Sequence, residues 1–145
     1  MSRRDLDLRI MFELSRIHAM QTRHLGFHAW ALRESSLPRF FVLHFVLTSG
    51  YAMGPVDIAK AMECTRSNIG PIVDRLVEIK WLTKERSPLD ARMLTVRATE
   101  RGREAYRMLK YQFGLVARGL FAELEESEKE ALLDLFWKIT GQWVE

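Results

Sequence analysis

Apolar residues recur at helical spacing through most of the chain. Residues 4–33 carry two stripes, Ile10, Leu14 and Ile17 on one and Leu8, Met11 and Phe12 on the other. Two stripes predict a long first helix that packs on two sides, with Gly26 weakening it mid-course. Ser35, Ser36 and Pro38 punctuate the chain. Pro38 suits the first turn of a second helix over about 37–48. That helix is apolar nearly all round and is expected to be buried. Ser49-Gly50-Tyr51 closes it, and a short extended piece, Tyr51-Ala52-Met53, follows.

Gly54 and Pro55 then serve as N-cap and first residue of a third helix with a face of Val56, Ile58, Ala59 and Met62. Glu63-Cys64-Thr65 is a short turn, and Thr65 or Ser67 caps a fourth helix bearing Ile69, Ile72, Val73, Leu76 and Ile79. Two helices joined by about three residues have helix-turn-helix proportions. Residues 81–86 and 92–98 alternate like strands around the turn cluster Ser87-Pro88-Leu89-Asp90-Ala91, predicting a β-hairpin. Thr99, followed by Glu100, caps a fifth helix over about 100–121 with Gly114 and Gly119 as soft spots. Ser127 and Glu130 form an expected capping box for a last helix carrying Leu132, Leu133, Leu135, Phe136, Ile139 and Trp143. The pattern as a whole is mainly α with a small β-hairpin, a winged helix-turn-helix flanked by terminal helices.

Length and composition narrow the class. The 145 residues suffice for one domain with a real core, and 48% are hydrophobic, which excludes a disordered chain. No run of about 18 apolar residues is present, so no membrane partner is expected. Arg3-Arg4 is followed at once by Asp5 and Asp7, unlike a secretory leader. The lone Cys64 excludes an internal disulfide and fits a cytoplasmic protein. The net charge of +3 is uneven: residues 1–54 and 55–103 each carry +3, and residues 104–145 carry −3. That asymmetry favours an anionic partner for one face.

In a winged helix the second helix of the pair enters the DNA major groove, and the hairpin reaches phosphates or the minor groove. The candidate DNA contacts are therefore Thr65, Arg66, Ser67 and Asn68 at the helix start, Arg75 further along it, and Lys84, Arg86, Asp90 and Arg92 around the hairpin. Each has a plainer alternative. Asp90 and Arg92 are otherwise a surface ion pair, residues 65–68 a polar helix start, and Arg75 an internal anchor.

The run Asp90-Ala91-Arg92-Met93-Leu94-Thr95-Val96-Arg97-Ala98-Thr99-Glu100-Arg101-Gly102 resembles the wing signature of the multiple antibiotic resistance regulators, the MarR family. Ala98 stands where leucine is usual. Val73-Asp74-Arg75-Leu76 is similar to the end of that family's recognition helix, and Ile58-Ala59 to the helix before it. The resemblance implies a homodimer joined through terminal helices, here 1–34 and 104–145, around a DNA-binding lobe at 35–103. It implies binding to a pseudo-palindrome in double-stranded promoter DNA, usually as a repressor, and release by a small, often aromatic effector. Two departures stand out: Gly70-Pro71 inside the recognition helix, and Lys80 where a glycine normally ends it. Either that helix begins nearer Ser67, so that Pro71 falls in the tolerated first turn, or it is kinked. Lys80 in the left-handed conformation is expected to cost about 1 kcal/mol.

His24 and His28 lie one helical turn apart on the packed side of the first helix, a possible metal pair. No third ligand accompanies them, so no metal or other cofactor is expected. By family analogy His24, His28, Phe41, His44 and Phe45 line a ligand cleft. Cys64 is read as a small core filler rather than a redox sensor. Phe136, Trp137, Ile139 and Trp143 form a terminal stripe that a second copy would bury. No nucleophile–base pair, phosphate loop or metal quartet points to an enzyme. The alternative to a DNA reader is a winged-helix module that binds protein.

Overall fold

The computed structural model describes residues 3–28 and 37–141. They form α1 (Arg3–His28), α2 (Leu37–Thr48), α3 (Pro55–Ala61), α4 (Arg66–Glu78), β1 (Leu82–Arg86), β2 (Leu94–Ala98), α5 (Glu100–Leu120) and α6 (Glu126–Thr140). This is the expected helical chain with one hairpin and the architecture of a winged helix. The remainder of the first helix beyond His28, and Trp143, lie outside the described residues.

Among the described residues, every buried apolar side chain falls between Val42 and Leu109. Val42 and Leu43 of α2, Ile58 of α3, Ile69, Val73 and Leu76 of α4, Leu82 and Val96 of the hairpin, and Leu109 of α5 meet in one cluster. Alternation puts Leu82, Val96 and Ala98 on the inner face of the hairpin, whose antiparallel register pairs Leu82 with Ala98 and Arg86 with Leu94. The backbone N–H of Val96 donates to the Met53 carbonyl at 2.8 Å, so the extended segment after α2 lies along the other edge of β2.

Two helices end without the usual glycine. After α3, Glu63 takes φ 52°, and after α4, Lys80 takes φ 66°. Both ends are Schellman turns. Cys64 N–H donates to the Ala59 carbonyl at 3.0 Å, and Trp81 N–H to the Leu76 carbonyl at 2.9 Å. The expected left-handed lysine is thus present, and Glu63 carries a second penalty of about 1 kcal/mol that its sequence position does not advertise.

One open choice is settled and two local expectations differ. The fourth helix starts at Arg66 behind Thr65, so Pro71 sits inside it rather than in its first turn. The second strand starts at Leu94, not Arg92, because Arg92 and Met93 donate their N–H groups to Asp90 within the turn. The last helix is capped by Glu125, whose N–H donates to Glu128 Oε2 at 2.9 Å, and Ser127 falls within its first turn. A carboxylate three residues on satisfies the free N–H equally well two residues earlier.

The terminal helices look different from the lobe. α6 buries no residue. Along α1, Leu6, Leu8, Ile10, Met11, Phe12, Ile17 and Met20 are exposed, and Phe12 is 62% open. Leu115, Leu133, Leu135 and Ile139 add to this uncovered surface from α5 and α6.

Candidate nucleic-acid interface

Helix α4 turns Ile69, Val73 and Leu76 into the core, so Ser67, Pro71, Asp74 and Glu78 fall on its outer side. Thr65 is its N-cap, but its hydroxyl meets Ser67 Oγ at 2.9 Å rather than a backbone N–H. The free N–H groups at this end stay available to an anion. Arg66 and Asn68 are exposed beside them.

The hairpin is fixed relative to α4. Lys84 Nζ of β1 forms an ion pair with Asp74 of α4. At the tip, Arg92 N–H donates to Asp90 Oδ1 at 2.9 Å and Arg86 Nη1 donates to the Ala91 carbonyl at 2.7 Å. Asp90 therefore shapes the loop through backbone bonds. Arg75 pairs with Glu78 at 2.9 Å. Lys84, Arg86 and Arg75 thus have internal partners, whereas the exposed guanidinium groups of Arg66 and Arg92 have none among the described residues.

The rest of the wing motif is a staple. Thr99 caps α5 by accepting from Gly102 N–H at 3.0 Å, and its own hydroxyl donates to the Lys80 carbonyl. A Cβ built on Gly102 would stand 2.0 Å from the Trp81 carbonyl oxygen. Only a glycine lets α5 start this close to the end of α4.

The expected ligand residues separate. An apolar cavity of about 130 Å³ lies between α1, α2 and α5, walled by Phe40, Phe41, Phe113, Val116 and Leu120, with Gln21 as its polar group. Phe41 belongs to it. His44 does not: its Nδ1 lies 2.8 Å from the Tyr106 hydroxyl. Burial, and then the charge of Lys110, hold the His44 pKa below its ordinary value, and burial raises that of Tyr106. Phe45 sits edge-on to His44 at 5.5 Å. The side chains of His24 and His28 lie outside the described residues. Among the described residues no group of three His, Cys, Asp or Glu could hold a metal ion. Cys64 is half-buried against the core. Phe40, stacked on Tyr106 at 5.5 Å, and Phe113, edge-on to Phe40 at 4.2 Å, escaped the sequence reading. The spacing of Tyr106, Leu109 and Phe113 along α5 was the available signal.

Helix, turn, helix and hairpin around one shared core define a winged helix-turn-helix protein. The MarR family model matches residues 36–94. The members of that family are transcription regulators, not enzymes. Solved structures agree in fold. The transcriptional regulator BldR from Sulfolobus solfataricus matches with TM-score 0.85 and 22% identity, over 98% of this chain and 99% of that one. CouR from Rhodococcus jostii, bound to p-coumaroyl-CoA, matches with TM-score 0.82 and 23% identity, over 94% and 95%. A cysteine-to-serine mutant of MarR from E. coli, complexed with operator DNA, matches with TM-score 0.81 and 19% identity, over 96% and 99%. No curated protein matches the chain. Among the described residues no helix is long and apolar enough to cross a membrane.

Proposed function

We propose that this chain is a homodimeric, sequence-specific DNA-binding regulator, a repressor that a small aromatic ligand releases. The observation that carries the reading is a pair of exposed arginines with no partner among the described residues, Arg66 at the start of α4 and Arg92 at the hairpin tip. They sit on the two elements that a winged helix offers to a groove and to the phosphates beside it. The E. coli relative bound to operator DNA has the same fold. Thr65, Ser67 and Asn68 flank Arg66 as further contacts, and Asp90, Arg86 and Lys84 hold the hairpin in position with Arg75 behind them.

The exposed area supports dimerisation. A compact monomer of 17.0 kDa exposes about 7,700 Å². This chain exposes 11065 Å², with much of the apolar part on α1, α5 and α6. Residues 1–34 and 104–145 would form the dimer layer and 35–103 the reading lobe. A two-fold dimer reads two half-sites related as a pseudo-palindrome, about one helical turn apart. The apolar cavity, near the size that holds one aromatic ring, sits between the two parts. CouR, which shares the fold, is bound to p-coumaroyl-CoA in its solved structure. Occupancy here would shift the spacing of the two lobes.

The test is a gel shift on the gene's own upstream region at several salt concentrations. Arg92→Ala is expected to weaken binding and to lower the salt slope by about 0.9 for each phosphate that the arginine would otherwise neutralise. Unchanged affinity would sink the wing assignment. A wild-type chain that retains no promoter fragment would point instead to a winged-helix module that binds protein.

A further inference from the structure

Pro71 lies inside α4 and is exposed. A proline there removes one helix hydrogen bond, so the Ser67 carbonyl loses its N–H donor four residues on. No core contact compensates, because the ring is on the side of α4 opposite Ile69, Val73 and Leu76. Gly70 precedes it, and a Cβ built at Gly70 meets nothing within 4 Å. Packing therefore does not require that glycine. The proline does, since a Cβ before a proline clashes with the ring in helical backbone. The pair is a costly local choice with its whole effect on the outer surface, which is where such choices mark function.

The neighbouring side chains are occupied. Ser67 Oγ meets Thr65, Asp74 is held by Lys84, and Arg75 by Glu78. What remains in the middle of the outer side is an apolar ring beside bare backbone. In the major groove the one apolar group on a base edge is the C5 methyl of thymine. We propose that Pro71 sets a thymine preference within each half-site by packing its ring against that methyl. This inference rests on the DNA-binding reading and adds to it the base that the middle of α4 selects.

The experiment selects the full chain on duplexes with randomised half-sites. The recovered duplex is then titrated against versions with deoxyuridine replacing one thymine at a time. Deoxyuridine lacks only the methyl. For wild type, one position per half-site is expected to lose about fourfold in affinity, the worth of one buried methyl-sized group. Pro71→Val keeps that loss, since it keeps an apolar contact. Pro71→Gln binds the thymine and uracil duplexes equally, and its selected base moves toward adenine. Gln restores the missing N–H, so the variant folds, and circular dichroism checks this. Equal wild-type affinity for thymine and uracil at every position overturns the inference and leaves DNA binding standing. So does a uracil penalty that persists unchanged in Pro71→Gln. If wild type recovers no duplex at all, the DNA-binding reading falls, and this inference with it.

Discussion

Replacing Gly102 with alanine tests the joint between the reading lobe and the long α5 helix. The added Cβ would stand 2.0 Å from the Trp81 carbonyl oxygen and 2.9 Å from its carbon. Neither is a flexible side-chain tip, so the backbone must part by more than 1 Å, about the gap to an ordinary contact. Overpacking of this kind costs about 1–3 kcal/mol. The same movement stretches the cap from Gly102 N–H to Thr99 Oγ1, now 3.0 Å, worth about 1 kcal/mol. A total near 3 kcal/mol is a large share of the roughly 5–15 kcal/mol that holds a domain together. For a chain of this size it lowers Tm by about 10 °C. The assay is thermal unfolding followed by circular dichroism at fixed protein concentration, since the proposed dimerisation would make Tm depend on concentration. Thr99→Val removes the cap directly. Because both changes break one bond, the double variant is expected to lose less than the two singles together. A Gly102→Ala protein that melts within about 2 °C of wild type, less than 1 kcal/mol, would refute the close approach of α5 to Trp81.

The pH dependence has a definite sign. His44 has a folded pKa below its ordinary value of 6.5, so the unfolded chain binds its proton more readily. Its contribution to stability is fully present above 6.5 and declines as the pH falls below that value toward the folded pKa. His44→Phe is expected to flatten the Tm profile between about pH 7 and 5, and an unchanged slope would exclude His44 as its source. The exposed apolar faces of α1 and α6 give a second test. Phe12→Glu and Ile139→Glu are each expected to halve the mass seen by sedimentation, and a mass that stays at two chains in both variants removes those faces from the interface. The Lys84–Asp74 pair is solvent-exposed. A double-mutant cycle on it is expected to give at most about 1 kcal/mol, shrinking with salt. A larger, salt-insensitive coupling would contradict the exposed geometry of the pair.

Most of the winged helix was legible in the sequence. Helix starts at Gly54-Pro55, Thr65 and Thr99, and the alternation of Leu82, Val96 and Ala98, are decided by residues within a few positions of one another. Local periodicity and cap chemistry act over that range. The misplaced boundaries, at Leu94 and Glu125, are set by turn and capping bonds to Asp90 and Glu128 rather than by the apolar pattern. The candidate residues were legible by type, but which of them pair with one another was not. Their sequence positions do not separate Arg92 and Arg66 from Lys84, Arg86 and Arg75.

That separation belongs to the tertiary structure. Lys84 meets Asp74 ten positions away, and His44 meets Tyr106 sixty-two positions away. Such partners are chosen by how α4 docks on the hairpin and α2 on α5. The surplus of apolar residues in the terminal helices was also visible from the start, as two stripes on one helix. Only the folded chain shows that one copy leaves those stripes uncovered, because its own core closes between Val42 and Leu109.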